Sequence, residues 1–319
     1  MTSPKVSVLI PTYNYARYLP EAIESVLQQD FQDFELLISD DCSSDGSAGI
    51  ITAYAAKDSR IRFQIHPTNL GMVRHWNWCL AQARGEYVKF LLADDKLARP
   101  DALRQLVSML EEAPQIVLAS SSAQIINELS EVQFVRDHLH RDLVEDGWIT
   151  CRRCLLSGAN QIGEPSLVLF RRRCAGSGFN PAYRLWVDVE FALRVLEQGR
   201  FAYSAEPLAS FRFHEGQQTR QLLREHLLEV EFYRLLLDFA ERPWLGRKAA
   251  RQRLFEEFYQ TQKRSDLSAA ARAALAQCLD RLGGRRGYAT FLLRRKLLRP
   301  FQNLHRSLTK RLWPRFNAC

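Results

Sequence analysis

The sequence predicts an α/β protein: a mainly parallel sheet flanked by helices, followed by a helical C-terminal region. Three observations carry this expectation. Short continuous apolar runs alternate with helix-period segments through the first 120 residues, the spacing of βαβ units. The runs end in polar clusters at residues 11–14, 40–45 and 94–95, and in open parallel sheets ligands sit beyond the carboxyl ends of the strands. From Gln217 onward strand signals vanish and helical ones take over.

Taken in order, Lys5-Val-Ser-Val-Leu-Ile-Pro11 reads as a buried strand. Tyr18 to Gln29 carries apolar residues at 19, 22, 23, 26 and 27, a helical period. Phe34 to Ser39 is a second strand, and Ser44 or Asp45 is placed to cap a helix from about 47 to 57. Arg62 to Ile65 is a third, short strand. A helix over about 71–84 follows, with Arg84-Gly85 as its stop signal. Glu86 to Leu92 is a fourth strand running into Asp94-Asp95, Asp101 to Glu112 is helical, and Ile116 to Ser120 is strand-like. Residues 121–165 read as irregular. Helices are expected over roughly 217–241, 244–264 and 267–282, separated by Pro243 and ended by Gly283-Gly284.

The 319 residues, 46% hydrophobic and 25% charged, exclude a mainly disordered chain and suggest about two domains. No apolar run approaches the roughly 18 residues of a membrane span, and the N-terminus lacks a signal-peptide core. Seven scattered cysteines fit reduced thiols in a cytosol, and Cys151-x-x-Cys154 lacks the second pair that a zinc site needs. Net charge is +8, but residues 281–319 hold 11 Arg or Lys and no acid. Without them the chain carries 33 basic and 36 acidic residues, net −3, which gives no general case for nucleic acid.

Three polar strand ends make one shared site the economical reading. A carboxylate pair such as Asp94-Asp95 suits a divalent metal bridging two phosphates, although Asp-Asp-Lys is also turn composition. Asp40 and Asp41 end another strand, where carboxylates accept hydrogen bonds from a base N–H or a ribose hydroxyl; Asp45 suits a helix cap.

The order Val-Ser-Val-Leu-Ile-Pro-Thr-Tyr-Asn, Phe-Glu-Leu-Leu-Ile-Ser-Asp-Asp-Cys-Ser-Ser-Asp-Gly-Ser, Asn69-Leu-Gly71, Gly85-Glu-Tyr-Val and Leu-Ala-Asp-Asp resembles the family-2 glycosyltransferases. These are inverting enzymes of the GT-A, Rossmann-like fold. The match is close over about residues 5–112 and looser to about 220. The resemblance implies that Pro11 and Tyr13 line the nucleotide pocket and that Asp41 hydrogen-bonds the base, commonly uracil. It also implies that Asp95 ligates Mn2+ or Mg2+, with Asp94 beside the donor ribose or sugar. Two departures stand out. Leu92-Ala93-Asp94-Asp95 lacks the first carboxylate of the family's Asp-x-Asp-Asp, and His75-Trp76-Asn77 lacks an arginine that in relatives touches the nucleotide.

An inverting transferase needs one base to take the acceptor hydroxyl's proton. Trp186-Val-Asp188-Val-Glu190-Phe-Ala-Leu-Arg194 resembles the family's Glu-Asp-x-Asp-Leu-x-x-Arg motif, which implies Asp188 as that base. Helical spacing turns Glu190 away from Asp188, so the two are not expected to act as a pair. Gly163-Glu164 to Arg171 resembles a segment bordering the acceptor site, implying acceptor contact for Glu164. Phe211-Arg212-Phe213-His214 matches a motif that often follows the base helix. It implies His214 near the metal or diphosphate and Arg212 near the phosphates on the acceptor-binding side.

The expected organisation is a glycosyltransferase domain over 1–216, with a nucleotide-sugar half to about 120 and an acceptor half from 121, then a helical region over 217–282. A basic amphipathic tail over 283–319 would follow. Leu297, Phe301, Leu304, Leu308 and Leu312 recur there at helical spacing among basic residues, the pattern of an interfacial membrane segment. The expected activity is metal-dependent transfer from a nucleoside-diphosphate sugar to a saccharide or lipid-linked acceptor in polysaccharide or lipopolysaccharide synthesis. The expected place is the cytoplasm, peripheral on the inner face of the plasma membrane. A sugar nucleotidyltransferase would carry a Gly-rich basic loop after the first strand, where this chain has Pro-Thr-Tyr-Asn. A non-catalytic nucleotide-sugar-binding protein is disfavoured by the joint presence of Asp41, Asp95 and Asp188.

Overall fold

The structure, a computed structural model, describes residues 3–217, 227–262, 267–282 and 284–296. The first half follows the expected alternation: β1 (Val6–Thr12), α1 (Leu19–Leu27), β2 (Phe34–Asp40), α2 (Ser47–Ala55), β3 (Ile61–Ile65), α3 (Met72–Gln82) and β4 (Tyr87–Phe90). Every residue of β1, β2 and β4 is buried, which is why these strands read as unbroken apolar runs rather than as alternating ones. They lie in the order β3-β2-β1-β4, all parallel, with Val8 opposite Leu36 on one side and Lys89 on the other. The strand order therefore reverses about β1, and in open α/β sheets ligands bind outside the carboxyl ends of the strands at such a point.

Gly85 serves a different end from the expected helix stop. Helix α3 already ends at Gln82, and a Cβ at Gly85 would lie 2.5 Å from the Ser7 nitrogen. The glycine lets the chain pass against β1, where its N–H donates to Ser7 Oγ at 2.8 Å.

Beyond β4 come β5 (Lys96–Leu97), α4 (Ala102–Glu111), β6 (Ile116–Ile126), β7 (Val132–Arg136), β8 (Leu143–Asp146) and α5 (Gly147–Ser157). Next are β9 (Leu169–Arg171), α6 (Val187–Leu196) and β10 (Arg200–Arg212). β6 and β10 run parallel, while β9 joins β4 to β6 antiparallel and β5, β7 and β8 pair antiparallel at the margins. Most paired residues lie in parallel ladders, so the expected α/β class holds.

Residues 121–165 are not irregular as expected. β6 continues through Ser120, Ser121 and Ser122, which are fully buried although polar. Their hydroxyls bond backbone carbonyls, Ser122 to Ala205 at 2.7 Å, so the sheet accepts residues that break the apolar signature. β10 was also hidden, because Pro207 interrupts its register with β6. Cys151 and Cys154 lie one turn apart on α5, both buried and outside any disulfide.

The C-terminal helices are α7 (Leu227–Phe239), α8 (Arg247–Thr261) and α9 (Ala269–Leu282), and residues 284–296 are also helical. The chain divides into two compact units, Met1–Glu231 and Phe232–Cys319. Within the first unit, the start of α7 is hydrogen-bonded to the loop at 184–186. The tail's apolar stripe from Leu297 to Leu312 lies outside the described residues. Among the described residues no helix is long and apolar enough to cross a membrane.

Candidate active site

The loops after β1 and β2 are laced together. Asn14 Oδ1 accepts the Ser44 N–H at 2.9 Å, the Asn14 N–H donates to Ser43 Oγ at 2.8 Å, and the Ala16 N–H donates to Asp45 Oδ2 at 2.8 Å. Asn14 takes a left-handed backbone (φ 59°), a conformation asparagine tolerates better than most residues. Pro11 lies inside β1 opposite Ser39, whereas Tyr13, just past the strand, is 49% exposed. Asp41 is buried and anchors the Asn69-Leu70-Gly71 turn: its two carboxylate oxygens accept the N–H groups of Leu70 (2.7 Å) and Gly71 (3.0 Å). A carboxylate has about four lone-pair sites, so these bonds leave acceptor capacity for a base.

Asp94 and Asp95 follow β4 and are nearly enclosed. Asp94 Oδ2 pairs with His214 Nε2 at 3.1 Å. The His214 ring sits edge-on to Tyr15 (centroids 5.7 Å apart) and tilted against Tyr18 (5.0 Å). Asp95 Oδ1 accepts the Arg212 N–H at 2.9 Å, while Asp95 Oδ2 is buried without a hydrogen-bond partner. Burial and the adjacent Asp94 charge push the Asp95 carboxyl well above the usual carboxylate range. Burial, then the same two acids, raises the Tyr15 phenol as well. Beneath them Lys89 is fully buried, and its Nζ donates to the Ser166 carbonyl at 2.6 Å. Burial lowers its ammonium to about 7, opposed by the Asp95 charge.

Arg212 does not sit where an acceptor or phosphate would meet it. Its side chain is fully buried, with Nε on the Asp94 carbonyl (2.7 Å), Nη1 on the Asn127 carbonyl (3.1 Å) and Ser130 Oγ (2.9 Å), and Nη2 on Glu21 (3.2 Å). With its own N–H on Asp95, it braces both members of the acid pair. Arg212→Met strands several of these acceptors. It is expected to destabilise the fold by about 3 kcal/mol or more, read by chemical denaturation.

Asp188 is the second residue of α6, where the helix dipole favours an acid. It is half-buried and lines a cavity of about 20 Å3, large enough for one water, among Pro165, Val168, Phe170, Phe179 and Phe191. Burial pushes its carboxyl up to about 7, with the Glu164 charge acting the same way and the Val189 N–H opposing. Glu190 points to Arg194 (2.8 Å), so the two acids of α6 do not form a pair, as expected. Glu164 is ion-paired with Arg136, and its charge raises both Asp95 and Asp188. The site therefore brings Asp94, Asp95 and His214 together, with Glu164 acting on both the acid pair and Asp188.

Sequence reasoning missed Lys89, Tyr15 and Glu231 as members of this neighbourhood. A lysine inside Tyr87-Val-Lys-Phe90 was a signal for a buried cation. Nothing in the pattern marked Glu231, which lies in a helix more than 40 residues after the segment it contacts.

Fold and site define an α/β protein whose strand order switches about β1, with acids from separate elements beyond its strands. The family model Glycosyl transferase family 2 matches residues 7–172, and the chain belongs to that family. A Bacillus subtilis protein named for teichuronic acid biosynthesis, the glycosyltransferase TuaG, is 38% identical over 212 residues, 66% of this chain and 79% of its own. Among solved structures, S. aureus TarS 1–349 in complex with UDP-GlcNAc superposes with a TM-score of 0.64 at 19% identity. The match covers 87% of this chain and 80% of TarS 1–349. The mannosyltransferase PcManGT of Pyrobaculum calidifontis, solved with GDP-Man and Mn2+, gives a TM-score of 0.51 at 18% identity over 99% of this chain and 89% of its own. At these identities the two structures establish the shared GT-A fold.

Proposed function

We propose that the protein is an inverting glycosyltransferase that moves a sugar from a nucleoside-diphosphate sugar to a hydroxyl of a saccharide or lipid-linked acceptor, in bacterial surface-polysaccharide synthesis. The observation that carries the reading is the pairing of two differently tuned acid centres. One is a buried acid pair at the end of β4; the other is a carboxyl held near neutrality at the start of α6. Asp188 takes the proton from the acceptor hydroxyl as its oxygen attacks the anomeric carbon. The bond from that carbon to the phosphate oxygen breaks on the opposite face, and the nucleoside diphosphate leaves. Pro11, Tyr13 and Asp41 border the nucleotide, Asp94 the donor ribose or sugar, and Glu164 the acceptor.

A divalent cation fits the acid corner. Asp95 Oδ2 is a buried acceptor lacking a donor, and oxygen ligands suit Mg2+ or Mn2+. Among the described residues no group of three or more His, Cys, Asp or Glu is placed to hold a metal. The protein would supply Asp95, with the Asp94–His214 pair beside it, and diphosphate oxygens would complete the shell, as is usual for nucleotide-bound Mg2+. When bound, the ion neutralises charge developing on the leaving diphosphate. The basic segment from Arg281 is proposed to bring the enzyme to anionic lipid on the inner face of the plasma membrane.

The test is thermal melting against a panel of nucleoside diphosphates and nucleotide sugars, with and without Mn2+. TarS was solved with UDP-GlcNAc and with UDP, so uridine nucleotides are the first probes. The expected result is a rise in Tm with one nucleotide that is larger with Mn2+ present. No shift with any nucleotide would overturn the donor assignment.

A further inference from the structure

We propose that Glu231 is the positioning residue for the candidate base: reaching from α7, its carboxylate fixes the turn that starts α6 and so aims Asp188. The inference rests on the reading of Asp188 as the base. Helix α6 begins after Trp186, which supplies no side-chain cap. The three backbone N–H groups just before the helix are held instead from a distant element. Glu231 Oε1 accepts the Arg184 N–H at 2.9 Å, and Oε2 accepts those of Leu185 at 2.8 Å and Trp186 at 3.0 Å. The residue is 4% exposed, so these charge-assisted bonds form away from competing water. One turn earlier on α7, the Leu228 carbonyl accepts the Trp186 indole N–H at 3.0 Å.

The approach to α6 is clamped at its other end too. Asn77 bonds both the N–H and the carbonyl of Phe179, at 2.7 and 2.8 Å, and Arg194 donates to the Gly178 carbonyl at 2.5 Å. Between these clamps and α6, Glu231 holds the last three residues, and Asp188 follows two positions later. A displacement of about 1 Å at a reacting group costs on the order of a hundredfold in rate, so this turn is a place where remote packing controls chemistry.

Glu231 also acts by charge. Asp188 is faced by Glu164, itself paired with Arg136, and by Glu231 from α7; its own helix offers the Val189 N–H and carries the Glu190–Arg194 pair. Both neighbouring carboxylates favour the protonated form of Asp188, alongside the larger effect of burial.

The experiment uses the full chain without ligand. Carboxyl-carbon NMR follows the Asp188 titration, assigned by its loss in Asp188→Asn, and amide exchange follows residues 184–186. In Glu231→Gln the Asp188 midpoint is expected to move to lower pH, and the three amides to exchange at least about tenfold faster than in the parent. In Glu231→Asp, which keeps the charge on a shorter arm, the amides are expected to exchange faster while the midpoint stays near the parent value. This variant decides the matter if Glu231→Gln does not fold. Parent-like exchange at 184–186 overturns the proposal, as does an unmoved midpoint in a folded Glu231→Gln. Full turnover in Asp188→Asn would instead overturn the base assignment, so the two failures are distinguishable.

Discussion

Asp188→Asn is expected to lower the transfer rate by about a thousandfold, within the range that general-base catalysis contributes, while the nucleotide still binds. The amide keeps the shape of the carboxyl but cannot take a proton. In the parent, a base must be ionised to act, and burial holds this carboxyl near 7. Activity is therefore expected to fall as pH drops through about 7, a limb that steady-state turnover across pH would reveal. Stability runs the other way. Between the ordinary aspartate value of about 4 and about 7, the folded state retains a proton that the unfolded chain has released. The stabilising contribution is present at low pH and lost as pH rises through 7. Asp188→Asn should accordingly melt at a higher temperature than the parent above pH 7, a gain in stability at the expense of function. Lower stability with unchanged turnover would contradict both halves of the account.

Asp95→Ala is the second large effect. Its expected outcome is loss of the Mn2+-dependent part of the nucleotide's thermal stabilisation, together with a fall in turnover of at least about a hundredfold, the order seen when one electrostatic stabiliser of a transition state is removed. The variant removes a carboxyl whose ionisation is opposed by burial and by Asp94, but it also strands the buried Arg212 N–H that Asp95 Oδ1 accepts, at a cost of about 1–3 kcal/mol. The Tm without ligand is measured in the same melts, and the metal-dependent shift is read relative to it. Retention of metal-enhanced nucleotide binding would move the cation elsewhere.

The first 120 residues were legible because their strands are buried on both faces and their strand ends are polar. Continuous apolar runs and abrupt acid clusters survive in a linear text. Residues 121–216 were less so. Ser120 to Ser122 are interior residues that look like a loop, since their hydroxyls find carbonyls only in the folded sheet. Pro207 conceals a thirteen-residue strand because the sheet absorbs it as an irregularity in register. For the site, Asp94 pairs with His214 next to Asp95, and Asp188 lies at a helix start. Arg212 kept its place near the acids but turned inward. Whether a guanidinium meets substrate or braces a turn depends on Asn127, Ser130 and Glu21, which are remote in the chain. Glu231 was invisible for the same reason.

The bond from the Arg212 backbone to Asp95 spans 117 residues and closes a long circuit through the polypeptide. The stretch from α6 to β10 opens with Asp188 and closes with the brace on the acid pair, so the two ends of the sheet are not interchangeable parts. A chimera that imports a relative's residues from a crossover between β5 and α6 onward also replaces the arginine on which the resident acids rest. Grafts that keep residues 210–214 native, or that bring their own acid pair with them, should retain nucleotide binding where simple half-exchanges lose it.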